Sequence, residues 1–339
     1  MPSYLVLLAP AANRVYAGES LGLAAAELQI CHPGDLEVAP TTVAGVQYLA
    51  VEADDLDPVV VAGQSASLAL FEKVPADGGD ALLRPIELPV VDWLDDDLVT
   101  IPKYPGKTNE QFTRLLTNVT LSAVRREPGP REVLDPLAGR GTTLMTAWSM
   151  GHDGFGVEAD TKAVEAMSAY LKTYLRRKRL KHSADITPVR REGRAVGKRF
   201  DATLRLPERR ELTMALFTGD ARTSAALWGK RKFDAIVTDA PYGVVHGAST
   251  DVHPGGGKKK RDRSPAGLLE DALPAWADQL RPGGALGLSW NTHGLTREDL
   301  GALMRDQGLE VLDEGPWLRF SHRVDSSIQR DLMVGVKPL

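Results

Sequence analysis

The sequence predicts an α/β fold built on a doubly wound parallel sheet. Three observations carry that prediction. From about residue 130 onward, short apolar runs alternate with longer helical patterns, as in strands joined by crossover helices. Acids close successive runs, at Asp135, Glu158, Asp220 and Asp239. After the first run, "PLAGRGT" places glycines where a strand turns into a helix. In such sheets ligands sit outside the carboxyl ends of the strands, where the strand order switches.

The elements follow in order. Among the first hundred residues, "YLVLLA", "VQYLAVEA", "VVVAG" and "LALFEKV" read as strands, and "AGESLGLAAAELQI" reads as an amphipathic helix. This predicts a small N-terminal α/β or α+β domain over residues 1–98, acidic, with 16 acids and 3 bases in the first 100 residues. The remainder, 99–339, forms the second domain. Phe112, Leu115, Leu116, Val119 and Val124 repeat at helical spacing between 111 and 126. Val133 and Leu134 form a short buried strand, and a helix starts near Thr142. "HDGFGVEAD" is the second strand, followed by a long helix whose basic C-terminal end suits the helix dipole. Residues 183–215 read as a basic insert of hairpin type, leading into the strand that ends at Asp220. "FDAIVTDAPYG" is the fourth strand. "LLEDALPAWADQLRPGGALGLSWN" is a helix, a turn and a strand. A helix at 297–307 and the strands "LEVLDEG" and "DLMVGVK" complete the sheet. Residues 244–267, rich in Gly, Lys and Arg, read as a mobile loop beside the site.

Composition narrows the function classes. The single cysteine, Cys31, supports neither an internal disulfide nor a multi-cysteine zinc site, so the chain reads as intracellular and cytoplasmic. No apolar run reaches the roughly 18 residues of a membrane span. The formal net charge of −4 hides a block at 172–210 with 14 bases and 4 acids. Such a block points to a polyanionic partner, or to a solvated helix face plus a hairpin. His246, His253 and His293 share no metal-ligand spacing with a cysteine. "GKT" at 106–108 resembles the end of a phosphate-binding loop, but Ile101 stands where that motif needs glycine.

The chemistry-bearing residues lie at the strand ends. In "DPLAGRGT", Gly139 and Gly141 permit a tight turn and close approach of a ligand. The helix that follows favours a carboxylate. Leu144 stands where a dinucleotide fingerprint needs its third glycine, so the loop suits a nucleoside carrying an amino-acid carboxylate, or a purely structural turn. Glu158 can accept hydrogen bonds from two ribose hydroxyls. Asp220 can accept from an adenine amine while Ala221 offers its N–H. Either acid could equally cap a helix. In "TDAPYG", Asp239 and the carbonyl of Ala240 can accept hydrogen bonds from a planar amine. Pro241 fixes the backbone, and Tyr242 offers a stacking face.

Together "DPLAGRGT", "GVEAD", "TGDA" and "TDAPYG" resemble the class I S-adenosylmethionine-dependent methyltransferases that modify exocyclic amines of nucleobases. "KYPGKTNEQFTRLLTNVTL" and "SSIQRDLMVGV" are similar to segments of the tRNA guanosine-N2 methyltransferases, the THUMP-associated RNA methylases. The resemblance covers residues 101–339. It implies a Rossmann-like methyltransferase sheet of seven strands, the last antiparallel. It implies S-adenosylmethionine, with S-adenosylhomocysteine as product, held by Asp135, Pro136, Ala138, Gly139, Gly141, Thr142, Glu158, Asp220, Ala221 and Asp239. Asp239, Ala240, Pro241 and Tyr242 would then meet the target amine, with no metal. RNA, in particular tRNA, would bind through the basic segments 172–210 and 258–263. Ala240 departs from the family's usual proline. Its role resides in its carbonyl, so Ala240→Pro is expected to keep activity. The other readings are a DNA adenine-N6 or cytosine-N4 methyltransferase, and a non-catalytic RNA-binding protein retaining the cofactor fold.

Overall fold

The computed structural model describes residues 2–11, 14–76, 81–191, 194–241 and 265–339. The N-terminal unit runs β1 (Ser3–Leu8), α1 (Arg14–Cys31), β2 (Glu37–Val43), β3 (Val46–Glu52), α2 (Pro58–Gly63), β4 (Ser67–Pro75) and β5 (Ala81–Ile86). Its sheet is antiparallel throughout, in the order β2-β3-β1-β4-β5. The βαββαβ succession with β1 between β3 and β4 is the split-βαβ arrangement of ferredoxin-like units, extended by β5.

Two sequence expectations change here. "VVVAG" forms helix α2, not a strand. Asp57 caps it by accepting from the N–H of Val59 at 2.8 Å, and Pro58 occupies the first turn. That start signal outweighs the β preference of three consecutive valines. Helix α1 is buried on two sides and is not simply amphipathic. Ala24, Ala25 and Leu28 pack into the unit's own core, while Tyr16, Leu23 and Ala26 pack against the second domain.

After α3 (Asp97–Thr100), the second domain opens with α4 (Glu110–Ser122). It continues β6 (Glu132–Asp135), α5 (Thr142–Ser149), β7 (Asp153–Glu158) and α6 (Thr161–Arg177). Next come β8 (Lys181–Arg191), β9 (Arg194–Arg205), β10 (Leu212–Thr218), α7 (Ser224–Trp228) and β11 (Phe233–Asp239). The chain ends with α8 (Pro265–Gln279), β12 (Leu280–Asn291), α9 (Arg297–Asp306), β13 (Glu310–Leu312), β14 (His322–Arg323) and β15 (Gln329–Val336).

The sheet order is β13-β15-β12-β11-β6-β7-β10-β9-β8, with β14 beside β15. Strands β10, β7, β6, β11 and β12 are parallel, and β15 runs antiparallel between β12 and β13. The expected seven-stranded, doubly wound sheet with an antiparallel last strand is therefore present, lengthened by the antiparallel hairpin β8–β9. The order reverses between β6 and β11, so the switch point lies between Asp135 and Asp239.

Side chains alternate across the sheet. Val133, Ala235 and Val237 face α4, while Leu134 and Ile236 face the core under α8. At Gly287 on β12, a Cβ would fall 1.7 Å from the Thr120 hydroxyl of α4. The missing side chain lets α4 lie directly on the sheet, which fixes the segment entering α4 above the strand ends. The two domains share an interface through α1 and α4. There the fully buried Glu27 accepts from Asn118 Nδ2 at 2.6 Å and from the Ser65 N–H at 2.9 Å. Burial pushes the Glu27 carboxyl up, and these bonds pull against it. No helix of the described residues is long and apolar enough to cross a membrane.

Candidate functional site

Asp135 closes β6 and is 3% exposed. Its Oδ1 accepts from the N–H of Leu137 at 3.0 Å and from the hydroxyl of Thr238 on β11 at 2.7 Å. Desolvation raises its carboxyl to about 6; Thr238, Thr143 and Leu137 oppose the rise, and the nearby Asp239 adds to it. A carboxyl raised on folding stabilises the fold below its unfolded value, near 4, and that contribution disappears as pH rises through about 6. Relative to Asp135→Asn, the wild-type protein is expected to lose on the order of 2–3 kcal/mol of stability between pH 4 and pH 7. Denaturant unfolding across that window checks it. Parallel curves for the two proteins would refute the assignment.

Beyond Asp135, Pro136 and Ala138 carry the chain into the turn, and the Ala138 N–H bonds the carbonyl of Val157 at 3.0 Å. Gly139 and Gly141 have φ of +54° and +78°, a region that side chains disfavour. A Cβ on Gly139 would meet nothing within 4 Å, so this turn faces open space. Gly141 is the cap residue of α5, and Thr142 begins the helix.

Glu158 at the end of β7 supports this turn. One carboxylate oxygen accepts from the Gly139 N–H at 2.8 Å and the other from the Asp160 N–H at 2.7 Å. Each oxygen keeps a further lone pair for a ligand hydroxyl. At Asp220 the capping alternative is the one observed. Its Oδ1 accepts from the Arg222 N–H at 2.9 Å, and the Arg222 guanidinium pairs with both oxygens. That guanidinium holds the Asp220 carboxyl below the usual range. Ala221 is buried, and its carbonyl is taken by the indole N–H of Trp276 at 3.0 Å.

Asp239 ends β11, across the switch point from Asp135. Its Oδ2 accepts from the Thr108 hydroxyl at 2.5 Å, and its Oδ1 accepts from the Ser289 hydroxyl at the end of β12. The Arg330 guanidinium on β15 lies 3.8 Å from Oδ2 and stacks on the Phe112 ring, 4.5 Å from its centroid. The carboxylate is thus fixed from three sides.

Ala240 is 1% exposed, and its N–H donates to the Ser289 carbonyl at 2.8 Å. This corrects the expectation that its carbonyl alone matters. Alanine supplies a hydrogen bond that proline would delete, and the buried Ser289 carbonyl would lose that partner. Ala240→Pro is therefore not a neutral change. Pro241 is exposed. Tyr242, the loop expected at 244–267 and the basic segment 258–263 lie outside the described residues, apart from the start of α8.

Thr108, Ser289 and Arg330 were not singled out in the sequence. Thr108 belongs to "GKT", which is no phosphate loop but a bridge across the site. Four residues earlier, the Tyr104 hydroxyl lies 3.0 Å from the Thr142 hydroxyl, and the Arg140 guanidinium sits 4.7 Å from the Tyr104 ring centroid. The segment therefore touches both the glycine turn and Asp239. Its exit is fixed by Asn109, whose side chain caps α4 through the Phe112 N–H at 3.1 Å. Ser289 shows as a hydroxyl within "LGLSWN", and Arg330 as a charge entering a strand that is otherwise mostly apolar.

No protein-family model matches the chain, and no curated protein does. Solved structures similar to it are S-adenosylmethionine-dependent methyltransferases. TrmN from Thermus thermophilus is 14% identical with a TM-score of 0.44, covering 99% of this chain and 100% of that one. The 16S rRNA N2 methyltransferase RsmC of the same organism, in complex with AdoMet and guanosine, is 18% identical with a TM-score of 0.37; the match covers 89% of this chain and 58% of that one. A TehB-like methyltransferase from Corynebacterium glutamicum is 16% identical with a TM-score of 0.34, covering 62% of this chain and 82% of that one.

Proposed function

We propose that this protein transfers a methyl group from S-adenosylmethionine to an exocyclic amine of a nucleobase in RNA, with guanine N2 of tRNA as the target. The observation that carries this reading is the carboxylate of Asp239, fixed by Thr108 and Ser289 across the switch point from an open glycine turn.

The residues at that turn fit S-adenosylmethionine. Asp135 offers a carboxylate to an ammonium group. The turn at Gly139 leaves room for a ligand beside the N-terminus of α5, where a carboxylate is favoured. Glu158 keeps lone pairs for ribose hydroxyls. Asp220 must share its oxygens with Arg222 to accept from an adenine amine. When bound, S-adenosylmethionine supplies an electrophilic methyl carried on a sulfonium.

The chain's own residues prepare the acceptor. A nucleobase amine shares its lone pair with the ring and is a poor nucleophile. Hydrogen bonds from its two N–H groups to Asp239 and to the carbonyl of Ala240 favour a pyramidal nitrogen with its lone pair exposed. Asp239 would take up the proton that the amine releases when its new N–C bond replaces the methyl's bond to sulfur. A base within folded RNA must leave its stack to reach this carboxylate. The candidate RNA contacts lie within the basic block at 172–210.

The test is incubation with methyl-labelled S-adenosylmethionine and, in parallel, unfractionated tRNA lacking the modification, genomic DNA, or free guanosine. Nucleoside mass spectrometry then identifies the product. N2-methylguanosine in the tRNA arm is the expected result. Label confined to DNA, or transfer to no nucleic acid, would overturn the reading.

A further inference from the structure

The basic block at 172–210 is not one surface, because the sheet separates its two ends. Helix α6 leaves the carboxyl end of β7 and returns to the opposite edge, carrying Arg176 and Arg177 there. Arg179 and Lys181 follow at the same edge. Lys181 pairs with Arg205, and Leu204 on β9 pairs with Leu212 at the start of β10. These cations therefore lie at the end of the sheet remote from Asp239.

The other end of the block rises on the side of Asp239. The pairs Phe217↔Arg199 and Arg199↔Thr187 place everything beyond Thr187 on β8, and everything before Arg199 on β9, past the level of Phe217, the next-to-last residue of β10. From Pro188 to Arg191 the hairpin extends about 13 Å beyond that level. Arg190, Arg191, Arg194 and Lys198 lie on this arm, with Glu192 as the only acid between Ile186 and Phe200. Arg190 is exposed.

The arm has a fixed base. The Arg199 guanidinium stacks 4.9 Å from the Phe217 ring centroid and 5.9 Å from that of Trp228. Val189 packs against the core cluster that contains Trp228. The ammonium of Lys198 pairs with Glu165 in the first turns of α6. A Cβ on Gly197 would lie 3.0 Å from the Thr218 carbonyl, so the arm crosses closely over the end of β10.

Four strand spacings separate β9 from β11, about 19 Å. A single nucleoside held at Asp239 does not reach that far, whereas a polynucleotide does. We propose that the β8–β9 arm grips the phosphate backbone of the RNA that presents the target base, and that the cations at the end of α6 take no part. This rests on the RNA reading above. The arm thus selects a polymer over a nucleoside without touching the reacting atoms.

The test compares two triple variants by filter binding to unfractionated tRNA over a range of salt. The arm variant combines Arg190→Gln, Arg191→Gln and Arg194→Gln. The opposite-edge variant combines Arg176→Gln, Arg177→Gln and Arg179→Gln. The arm variant is expected to lose at least about tenfold in tRNA affinity near 0.15 M salt. Its slope of log affinity against log salt should be shallower by roughly 2, as three lost phosphate contacts require. Its thermal midpoint and S-adenosylmethionine affinity stay at wild-type values. The opposite-edge variant stays within about twofold of wild type. Equal losses in both variants, or unchanged affinity and slope in the arm variant, would overturn the proposal, as would a wild-type protein that binds no tRNA. Wild-type protein that binds tRNA through the arm but never methylates it retires the methyl-transfer reading and leaves the arm standing.

Discussion

Asp239→Ala is expected to lower the single-turnover rate of methyl transfer by about 10³-fold or more, while S-adenosylmethionine affinity changes by less than about threefold. The size follows from what the carboxylate is asked to do. It accepts a hydrogen bond from the amine and takes up its proton, and each such role is worth roughly 10²–10⁴ in rate. The selectivity follows from the fold. The glycine turn is braced by Glu158 and by Val157, and Asp135 is held by Thr238, so none of these depends on the Asp239 side chain. Asp239→Asn keeps one acceptor oxygen but no proton acceptor, and should fall between alanine and wild type. Isothermal titration with S-adenosylmethionine and a rapid-quench transfer assay on tRNA give the two readouts. Wild-type turnover in the alanine variant would remove Asp239 from the chemistry.

That prediction was largely legible in the sequence, because the acid closes a mostly apolar run and stands two residues before a proline. The same logic placed Asp135 and Glu158, since a strand end announces itself by a change from apolar to polar and glycine residues. What escaped were groups whose meaning depends on the sheet order. Thr108 lies 131 residues before Asp239, and only the seating of α4 on β12 brings it there. Ser289 and Arg330 sit on neighbouring strands at positions that a one-dimensional pattern cannot align with Asp239. Ala240 was read through its carbonyl, although a strand-end residue also has an N–H to place. Strand β12 continues past the end of β11, and its Ser289 carbonyl accepts that N–H. The valines at 59–61 failed for a more local reason, since a capped helix start prevailed over side-chain preference.

Arg330 carries the second large expectation. Its side chain is 5% exposed, its guanidinium sits over the Phe112 ring, and it faces Asp239. Backbone pairing puts it between Asn291 on β12 and His322 on β14. His322 is buried, and its ring lies 5.1 Å from Phe112 and 5.9 Å from Tyr16 of α1. Burial, together with the positive charge of Arg330, lowers this imidazole to about 4, so it is neutral at working pH and adds no second cation beside Asp239. Among the described residues, Arg330 is the cation that pairs with that carboxylate, at 3.8 Å. Arg330→Met keeps apolar bulk over Phe112 but leaves Asp239 without that charge, and is expected to destabilise the protein by about 3 kcal/mol. A purely structural role would stop there. A positioning role predicts more: without the guanidinium the Asp239 carboxylate is held from two sides only, so kcat falls by roughly tenfold while S-adenosylmethionine affinity stays within about threefold of wild type. Arg330→Lys restores the charge without the guanidinium over Phe112, and should recover part of kcat and part of the stability. A kcat that stays at the wild-type value in Arg330→Met would show that the guanidinium supports the fold and has no influence on the carboxylate.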